Sequence, residues 1–368
     1  MVLRNLLRRK IRTALTTLGI GIGIAAIVAM VSVADGYSAQ YTSLLTKSGA
    51  DLTVAQADVA DTSLSAIDEE VGRRIASLPD VAHVSGMLFS IVPMDEMPYF
   101  IIFGYDPQEF AIKHFKLKEG QMITGAERRE GKKEIMIGSA AAKSLKKGVG
   151  DTVRIYGSSY RITGVFETGT PFEDGGGVIN LKEAQRIFKK PGQVTMFQVK
   201  LRNVEAAEQV QADIEKRFRD IAVSKSAEYA ERTQDIQTTR AFAWAISAIA
   251  ILAGGVGMMN TVLMSVFERT REIGVLRALG WRKRRVLLLI LQESLLLSFL
   301  GGLLGVGIGV GLISLLSLTS YGSFLAPSYS LGLFVQALGT ALVLGAVGGL
   351  YPAYRAAGLS PVEALRYE

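Results

Sequence analysis

The chain offers few groups for covalent chemistry. Its 368 residues include no cysteine and only two histidines, His83 and His114, which excludes thiolate nucleophiles and histidine-rich metal sites. A lone histidine is more often a surface or core residue than a base. Glu173 and Asp174 precede three glycines, Gly175, Gly176 and Gly177, a composition that suggests a cation or phosphate loop. The stretch has neither the lysine of a P-loop nor the spacing of an EF-hand, and it reads as a flexible external loop. Met94, Asp95, Glu96 and Met97 form a polar break between two apolar strands, as a hairpin tip would, and such a tip could also touch a partner. No catalytic, metal or cofactor site is expected in this chain.

The segment that stands out is 260–285, with seven Lys/Arg and two Glu between apolar runs. It cannot lie in hydrocarbon, where a central Arg or Lys costs roughly 2.5–3.5 kcal/mol. Uncharged gaps of 22, 27 and 61 residues follow Arg12, Arg240 and Glu293. About 20 apolar residues cross a bilayer, so the first two gaps hold one span each and the third holds two, divided near 318–330. The expected spans are 13–34, 241–266, 286–316 and 331–354. The first is too long for the apolar region of a cleaved signal peptide.

The clusters of basic residues that flank the spans fall on one side: Arg4, Arg8, Arg9, Lys10 and Arg12, the loop 267–285, and Arg355 with Arg366. By the positive-inside rule the termini and that loop are cytoplasmic, and 36–239 and 318–330 lie outside. Residues 36–239 carry 26 Lys/Arg against 28 Asp/Glu, and the remainder 15 against 6. The net charge of +7 therefore reports membrane topology, and no nucleic-acid partner is expected. Residues 2–12 alternate apolar and basic positions as an amphipathic helix on the inner lipid surface would, or they are simply a basic topogenic flank.

The fold class that follows is membrane α-helical, with four transmembrane helices and a large extracytoplasmic α+β domain inserted between helices 1 and 2. Residues 1–35 hold the amphipathic segment and the first span, 36–239 the external domain, and 240–368 the other three spans. Within 36–239, a strand at 51–56, a helix at 65–78 and extended chain at 81–92 are mirrored by 196–201, 204–219 and 221–224. These two βαβ-like pieces bracket a β-rich lobe at about 107–190, with a hairpin turning near 157–159. The polar stretch 227–239 leads into span two, either as a continuing helix or as an ordinary connector.

Small residues four apart let membrane helices approach closely. Gly19 and Gly23, then Gly301, Gly305 and Gly309, then Gly345 and Gly349 have this spacing, for packing within one protomer or for a dimer face. Glu293 lies about 10 Å along the third span. An ionisable group there is a functional candidate, or an interfacial Glu paired with a nearby Arg such as Arg285 or facing another helix.

The stretch from Asn260 through Glu268-Arg269-Thr270-Arg271-Glu272-Ile273-Gly274 and Arg277-Ala278-Leu279-Gly280 to Gln292-Glu293 and Gly301-Gly302 resembles the signature of MacB/FtsX-type (type VII) ABC transporter permeases. The tail from Tyr351-Pro352-Ala353 to Ser360-Pro361-Val362-Glu363-Ala364-Leu365-Arg366 looks like the end of the same family. Residues 120–166, with Glu134-Ile135-Met136-Ile137-Gly138 and Gly148-Val149-Gly150-Asp151, are similar to the MacB-like periplasmic core domain. The resemblance implies a multi-pass protein of the cell inner membrane and a homodimer, or a heterodimer with a paralogue. It also implies two ABC ATPase subunits, with ATP and Mg bound by that partner. A membrane-fusion adaptor is a further partner it allows. A MacB ATPase domain precedes its first span. No G-x-x-x-x-G-K-[ST] occurs here, so the ATPase is expected on a separate polypeptide.

The family is thought to work by mechanotransmission, in which ATP-driven closure moves the external domains through the spans. On that expectation Glu268, Arg271, Glu272 and Arg277 make charged contacts with the ATPase. Ile273, Leu276, Ala278 and Leu279, with Gly280 ending the motif, fill its cleft. Export of an amphiphilic, peptide or lipid-linked substrate, lipoprotein release, and FtsX-like signalling to an external hydrolase are the three roles the resemblance leaves open.

Overall fold

The computed structural model describes residues 10–59, 62–94, 97, 99–124, 133–229, 234–319 and 327–358. The amphipathic stretch expected at 2–12, the tip residues Asp95 and Glu96, and the tail motif beyond 358 fall wholly or mostly outside them. The chain divides into two compact units. One comprises Met1–Ala34, Arg240–Leu315 and Pro327–Glu368, the other Asp35–Thr239 and Leu316–Ala326.

In the first unit, four helices are long and apolar enough to cross a membrane: α1 (Lys10–Lys47), α7 (Gln234–Glu268), α9 (Lys283–Leu316) and α10 (Leu331–Gly358). Uninterrupted helix is what apolar sequence must form where no water can satisfy the backbone. α1 has 38 residues and is about 57 Å long, well beyond a hydrocarbon thickness of about 30 Å. The helix therefore does not stop where the uncharged run does, at Ala34.

The glycine stripe of α9 lies on α1. A Cβ at Gly301 would come 2.9 Å from Ile20 Cβ, one at Gly305 2.5 Å from the Gly21 carbonyl oxygen, and one at Gly309 3.0 Å from Val28 Cβ. Ridge residues four apart on α1 thus fit a groove of glycines four apart on α9. The other face of α9 meets α10, where Ser298 and Ser294 occupy the space that Gly345 and Gly349 leave open. Both serine hydroxyls donate within their own helix, to Leu295 O and Ile290 O. Gly23 packs against Ala250 of α7, whereas a Cβ at Gly19 would meet nothing within 4 Å. Thr16 and Thr261 join α1 to α7 by a hydroxyl hydrogen bond of 3.1 Å.

The second unit is built on a ten-stranded sheet. Its strands are β1 (Leu52–Gln56), β3 (Val81–Val92), β4 (Phe100–Tyr105), β5 (Lys116–Gly120), β6 (Lys133–Gly138), β7 (Thr152–Ile155), β8 (Ser158–Glu167), β9 (Gly177–Asn180), β11 (Met196–Leu201) and β12 (Ile221–Lys225). The order is β12-β1-β11-β3-β4-β9-β6-β8-β5, with β7 also on β8. Two pairs are parallel, β4 with β9 and β6 with β8. A second sheet pairs β2 (Ile67–Asp68) with β10 (Gln193–Val194). The helices are α2 (Glu69–Ala76), α3 (Ser139–Leu145), α4 (Pro171–Asp174), α5 (Leu181–Ile187) and α6 (Ala207–Arg217).

Alternation along the central strands feeds two cores. Leu88, Phe100, Ile102, Ile135, Ile137 and Val199 enter one. Met87, Phe89, Ile101, Phe103, Met136 and Met196 enter the other, with Tyr41, Leu44 and Leu45 from the last turns of α1. Burial on both faces explains why β4 reads as a continuous apolar run. The edge strand β12 is covered by α6: Gln211 Nε2 donates to Val223 O at 2.9 Å, and Val223 N–H to Glu215 Oε1 at 3.1 Å. A covered edge cannot pair with another chain.

Three local expectations change. The helix expected at 65–78 is only α2, because Asp68 caps it by accepting from Glu70 N–H at 2.7 Å, and Ile67 is drawn into β2. The β-rich stretch 107–190 shares a single sheet with its flanks, since β9 inserts between β4 and β6. The expected glycine-rich loop contains α4, with Glu173 and Asp174 buried. The hairpin turn lies at Tyr156 and Gly157, both with positive φ (45° and 76°), as a two-residue type I′ turn requires.

Gly305→Leu should lower the thermal midpoint of the purified protein in detergent, with overpacking costing about 1–3 kcal/mol. Gly307→Leu, where a Cβ meets nothing within 4 Å, should leave it unchanged. Equal midpoints would refute the α1–α9 packing described here.

Candidate coupling surface

The charged segment between α7 and α9 folds into a short helix of its own, α8 (Thr270–Ala278). α7 ends at Glu268 because Arg269 leaves helical geometry (φ −112°, ψ 16°). Thr270 Oγ1 donates to Phe267 O at 2.8 Å and Val266 O at 3.2 Å, two of the carbonyls that a helix end leaves unsatisfied. The other end of α8 closes at Gly280, φ +89°. Gly280 N–H donates to Arg277 O and Trp281 N–H to Leu276 O, both at 3.1 Å. This is a Schellman motif, and its left-handed position favours glycine.

Two arginine contacts hold α8 and its leading residue to the unit, and one ring contact joins the neighbouring ends of α7 and α10. Arg269 Nη1 donates to Glu293 Oε2 at 3.2 Å and Oε1 at 3.4 Å, with both side chains largely shielded. Arg277 Nη1 donates to Ala357 O at 3.2 Å, so a cation meets the carbonyl end of α10, where the helix dipole favours it. The Arg355 guanidinium lies 5.2 Å from the centre of the Phe267 ring.

These contacts sort the residues that the sequence singled out. Ile273 is 7% exposed and belongs to the core formed with α1, α7, α9 and α10. It does not face outward as expected, because α8 lies with that side against the core. Leu276 and Arg277 are half-buried, and Arg277 is engaged with α10 rather than presented to a partner. The outward face carries Glu268, Arg271, Glu272, Ala278, Leu279 and Gly280. Val275, 42% exposed, joins Leu279, 76% exposed, as the apolar part of that face. Val275 was missed in the sequence, although it lies four residues from both Arg271 and Leu279. Glu293 pairs with Arg269, not Arg285. The two are distant in sequence, so only the return of α9 past the end of α7 brings them together.

The external unit's few titratable candidates serve its own packing. His114 Nε2 lies 2.6 Å from Glu173 Oε1, and His114 Nδ1 lies 2.5 Å from Ala111 O. Both side chains are buried. Asp174 accepts from Thr168 N–H at 2.7 Å and Gly169 N–H at 3.1 Å, which fixes the turn before α4. Among the described residues no three His, Cys, Asp or Glu side chains are grouped as a metal site. Glu109 accepts from Gly86 N–H at 3.0 Å and Ser85 Oγ at 2.6 Å. It takes the place of the next β4 acceptor where that strand has ended. Its carboxyl is raised to about 7, first by burial and then by Asp106 and Glu69, against the lowering effect of its two hydrogen bonds.

A multi-pass membrane architecture with an α+β domain between its first and second helices is the class that this geometry defines. A family model described as MacB-like periplasmic core domain matches residues 13–217, and one described as FtsX-like permease C-terminal matches 244–361. The chain belongs to the MacB/FtsX-type permeases of ABC transporters. The macrolide export ATP-binding/permease protein MacB of Bdellovibrio bacteriovorus is 29% identical to it, over 99% of this chain and 61% of that protein. The chain thus spans about three fifths of that relative's length. The uncharacterized ABC transporter permease YvrN of Bacillus subtilis is 29% identical over 99% of this chain and 98% of its own. The crystal structure of the periplasmic region of MacB from Actinobacillus actinomycetemcomitans covers 50% of this chain and 93% of its own, at 13% identity and a TM-score of 0.40.

Because the fold raises the Glu109 pKa, it favours the protonated form. The resulting stability is full below about 4.5 and is lost as pH rises to about 7. Glu109→Gln keeps an acceptor for Gly86 N–H without the charge. It should raise the thermal midpoint of the external unit at pH 8 by the equivalent of about 1–2 kcal/mol, allowing for solvent screening, and leave it unchanged at pH 4. Parallel melting curves at both pH values would refute this.

Proposed function

We propose that this chain is a permease subunit that receives force from a separate ABC ATPase and passes it to its external domain, driving export or extraction of an amphiphilic, peptide or lipid-linked substrate. The observation that carries the reading is the outward face of α8. That face combines Arg271 and Glu272 for charged contacts with Val275, Ala278 and Leu279 for a cleft. Charged and apolar groups on one short helix suit a socket on a protein partner better than a lipid surface. Arg269–Glu293 and Arg277–Ala357 O fix the helix to the spanning bundle, so a push on α8 is borne by α9 and α10. α1 and α7 supply the route outward, because each is one unbroken helix with residues in both units.

On this reading the chain itself hydrolyses nothing, and ATP and Mg are held by the ATPase. It sits in the inner membrane with both termini and the 267–285 loop cytoplasmic, as the basic flanks favour. A second permease protomer completes the complex, and an adaptor would act on the external side.

The double variant Arg271→Glu, Leu279→Asp should reduce stimulation of the co-purified ATPase by about ten-fold or more at an unchanged thermal midpoint. Retention of full stimulation would sink the coupling role of α8. Because the chain contains no cysteine, topology can be read from single introduced thiols. In intact cells a membrane-impermeant maleimide should label Lys118→Cys and spare Lys283→Cys. The reverse pattern would invert the proposed orientation.

A further inference from the structure

Of the four spans, α7 has the least cover: 22% of its apolar stretch is buried, against 50% in α1. Its open side is a regular stripe. Phe242, Ile246, Ile249, Ala253, Val256 and Asn260 are all exposed, and their spacings run four, three, four, three, four. The mean period is 3.5 residues, that of a helix packed along its length on another helix. A face turned to lipid alone could carry the same apolar residues, but Asn260 does not fit such a face.

Asn260 lies eight residues before Glu268 in the uncharged stretch, about 12 Å inside the span. Thr16 of α1 stands at the same level, bonded to the adjacent Thr261. The Asn260 amide has no hydrogen-bond partner among the described residues. The two ends of the chain, with Arg4, Arg8 and Arg9 and with Glu363, Arg366 and Glu368, carry charges that hydrocarbon excludes at that depth. Lipid offers an amide no hydrogen bond, which is why polar side chains inside spans face other protein. Gln292, also exposed, neighbours Glu293 and so shares the level of Arg269, past the end of α7. Asn260 lies nine residues deeper. Gly257 precedes Asn260 by one turn on the same side, and a Cβ there would meet nothing within 4 Å. Packing within the protomer does not call for glycine at this position, whereas close approach of a helix from outside does.

We propose that this stripe of α7 is the seam between two copies of this chain, with Asn260 hydrogen-bonded to its counterpart in the second copy. Two copies insert in the same orientation, so their α7 helices run parallel. A two-fold axis then sets each residue of the stripe against its own counterpart. An amide suits that arrangement because it both donates and accepts, so Asn260 satisfies itself across the axis. A single Asn in an apolar heptad seam also fixes the register and the number of strands, at some cost in stability. This self-complementarity favours a second copy over an unrelated chain, which would have to supply a matching amide from its own sequence. The proposal rests on the reading above, in which a second protomer completes the complex, and deepens it by naming the face that meets that protomer.

Because the chain contains no cysteine, a disulfide-linked species of twice its mass reports contact between two copies at one introduced thiol. The full chain is expressed alone in membranes, without ATPase or nucleotide, and oxidised with copper phenanthroline. Ala253→Cys and Val256→Cys should give the linked dimer. Leu303→Cys, on the exposed side of α9, should not. Asn260→Leu should weaken self-association of the purified chain in detergent about ten-fold, followed by energy transfer between differently labelled copies. Absence of the linked dimer at both seam positions, equal linking at Leu303→Cys, or an unchanged dissociation constant for Asn260→Leu would overturn the proposal. Energy transfer that persists unchanged would keep the second protomer and strike only the seam. Since no ATPase is present, none of these outcomes bears on the coupling role of α8, and lost ATPase stimulation in the α8 variant would leave the seam standing.

Discussion

The close approach of α9 to α1 is the constraint on which the membrane unit depends. In lipid, helices gain nothing by hiding apolar surface from water, so association rests on contact packing and on the few polar bonds available. Gly301, Gly305 and Gly309 bring the α9 backbone against Ile20, Ile24 and Val28, and the serines on its other face fill the hollows at Gly345 and Gly349. α9 is therefore packed on two sides by small residues. Glu293, about two turns before those glycines, is held where Arg269 can reach it. The position of α8 is in this sense a consequence of glycines further along α9.

That dependence also explains why α8 is a helix at all. Nine residues are too few for stable isolated helix in water. Here the C-terminal end is satisfied by the Gly280 turn, and one side is covered by the core through Ile273. The free side is then narrow. The mixture of Arg271, Glu272, Val275 and Leu279 on it follows from the helical period once Ile273 and Gly274 are committed inward.

Much of the architecture was legible in the sequence because a bilayer imposes it. The uncharged runs located four spanning helices, and the family motifs identified the permease. Helix ends were less legible. An uncharged run measures hydrocarbon thickness, whereas α1 continues to Lys47 because Tyr41, Leu44 and Leu45 are buried among Phe89, Phe103 and Phe172. Contacts between distant positions were not legible. Arg269 with Glu293, Arg277 with Ala357 O, and His114 with Glu173 arise from the return of the chain, and each residue type alone fits several roles. The direction in which Ile273 points was invisible for the same reason: a motif shows which residues recur together but not which of them packs inward.

The engagement of several buried ionisable groups and the solidity of α8's attachments both bear on the proposed coupling role. Several ionisable groups of the external unit are spent on its own packing. His114 and Glu173 bind each other, Asp174 fixes a turn and Glu109 ends a strand. A chain that transmits force needs stiffness, which comes from contacts with little freedom. Glycine packed on backbone offers few alternative rotamers, and a guanidinium on a carboxylate or a helix end is directional. Loosening those contacts would let α8 yield without moving α9. The proposed mechanical coupling would draw on the small residues, shielded ion contacts and unbroken helices of this sequence.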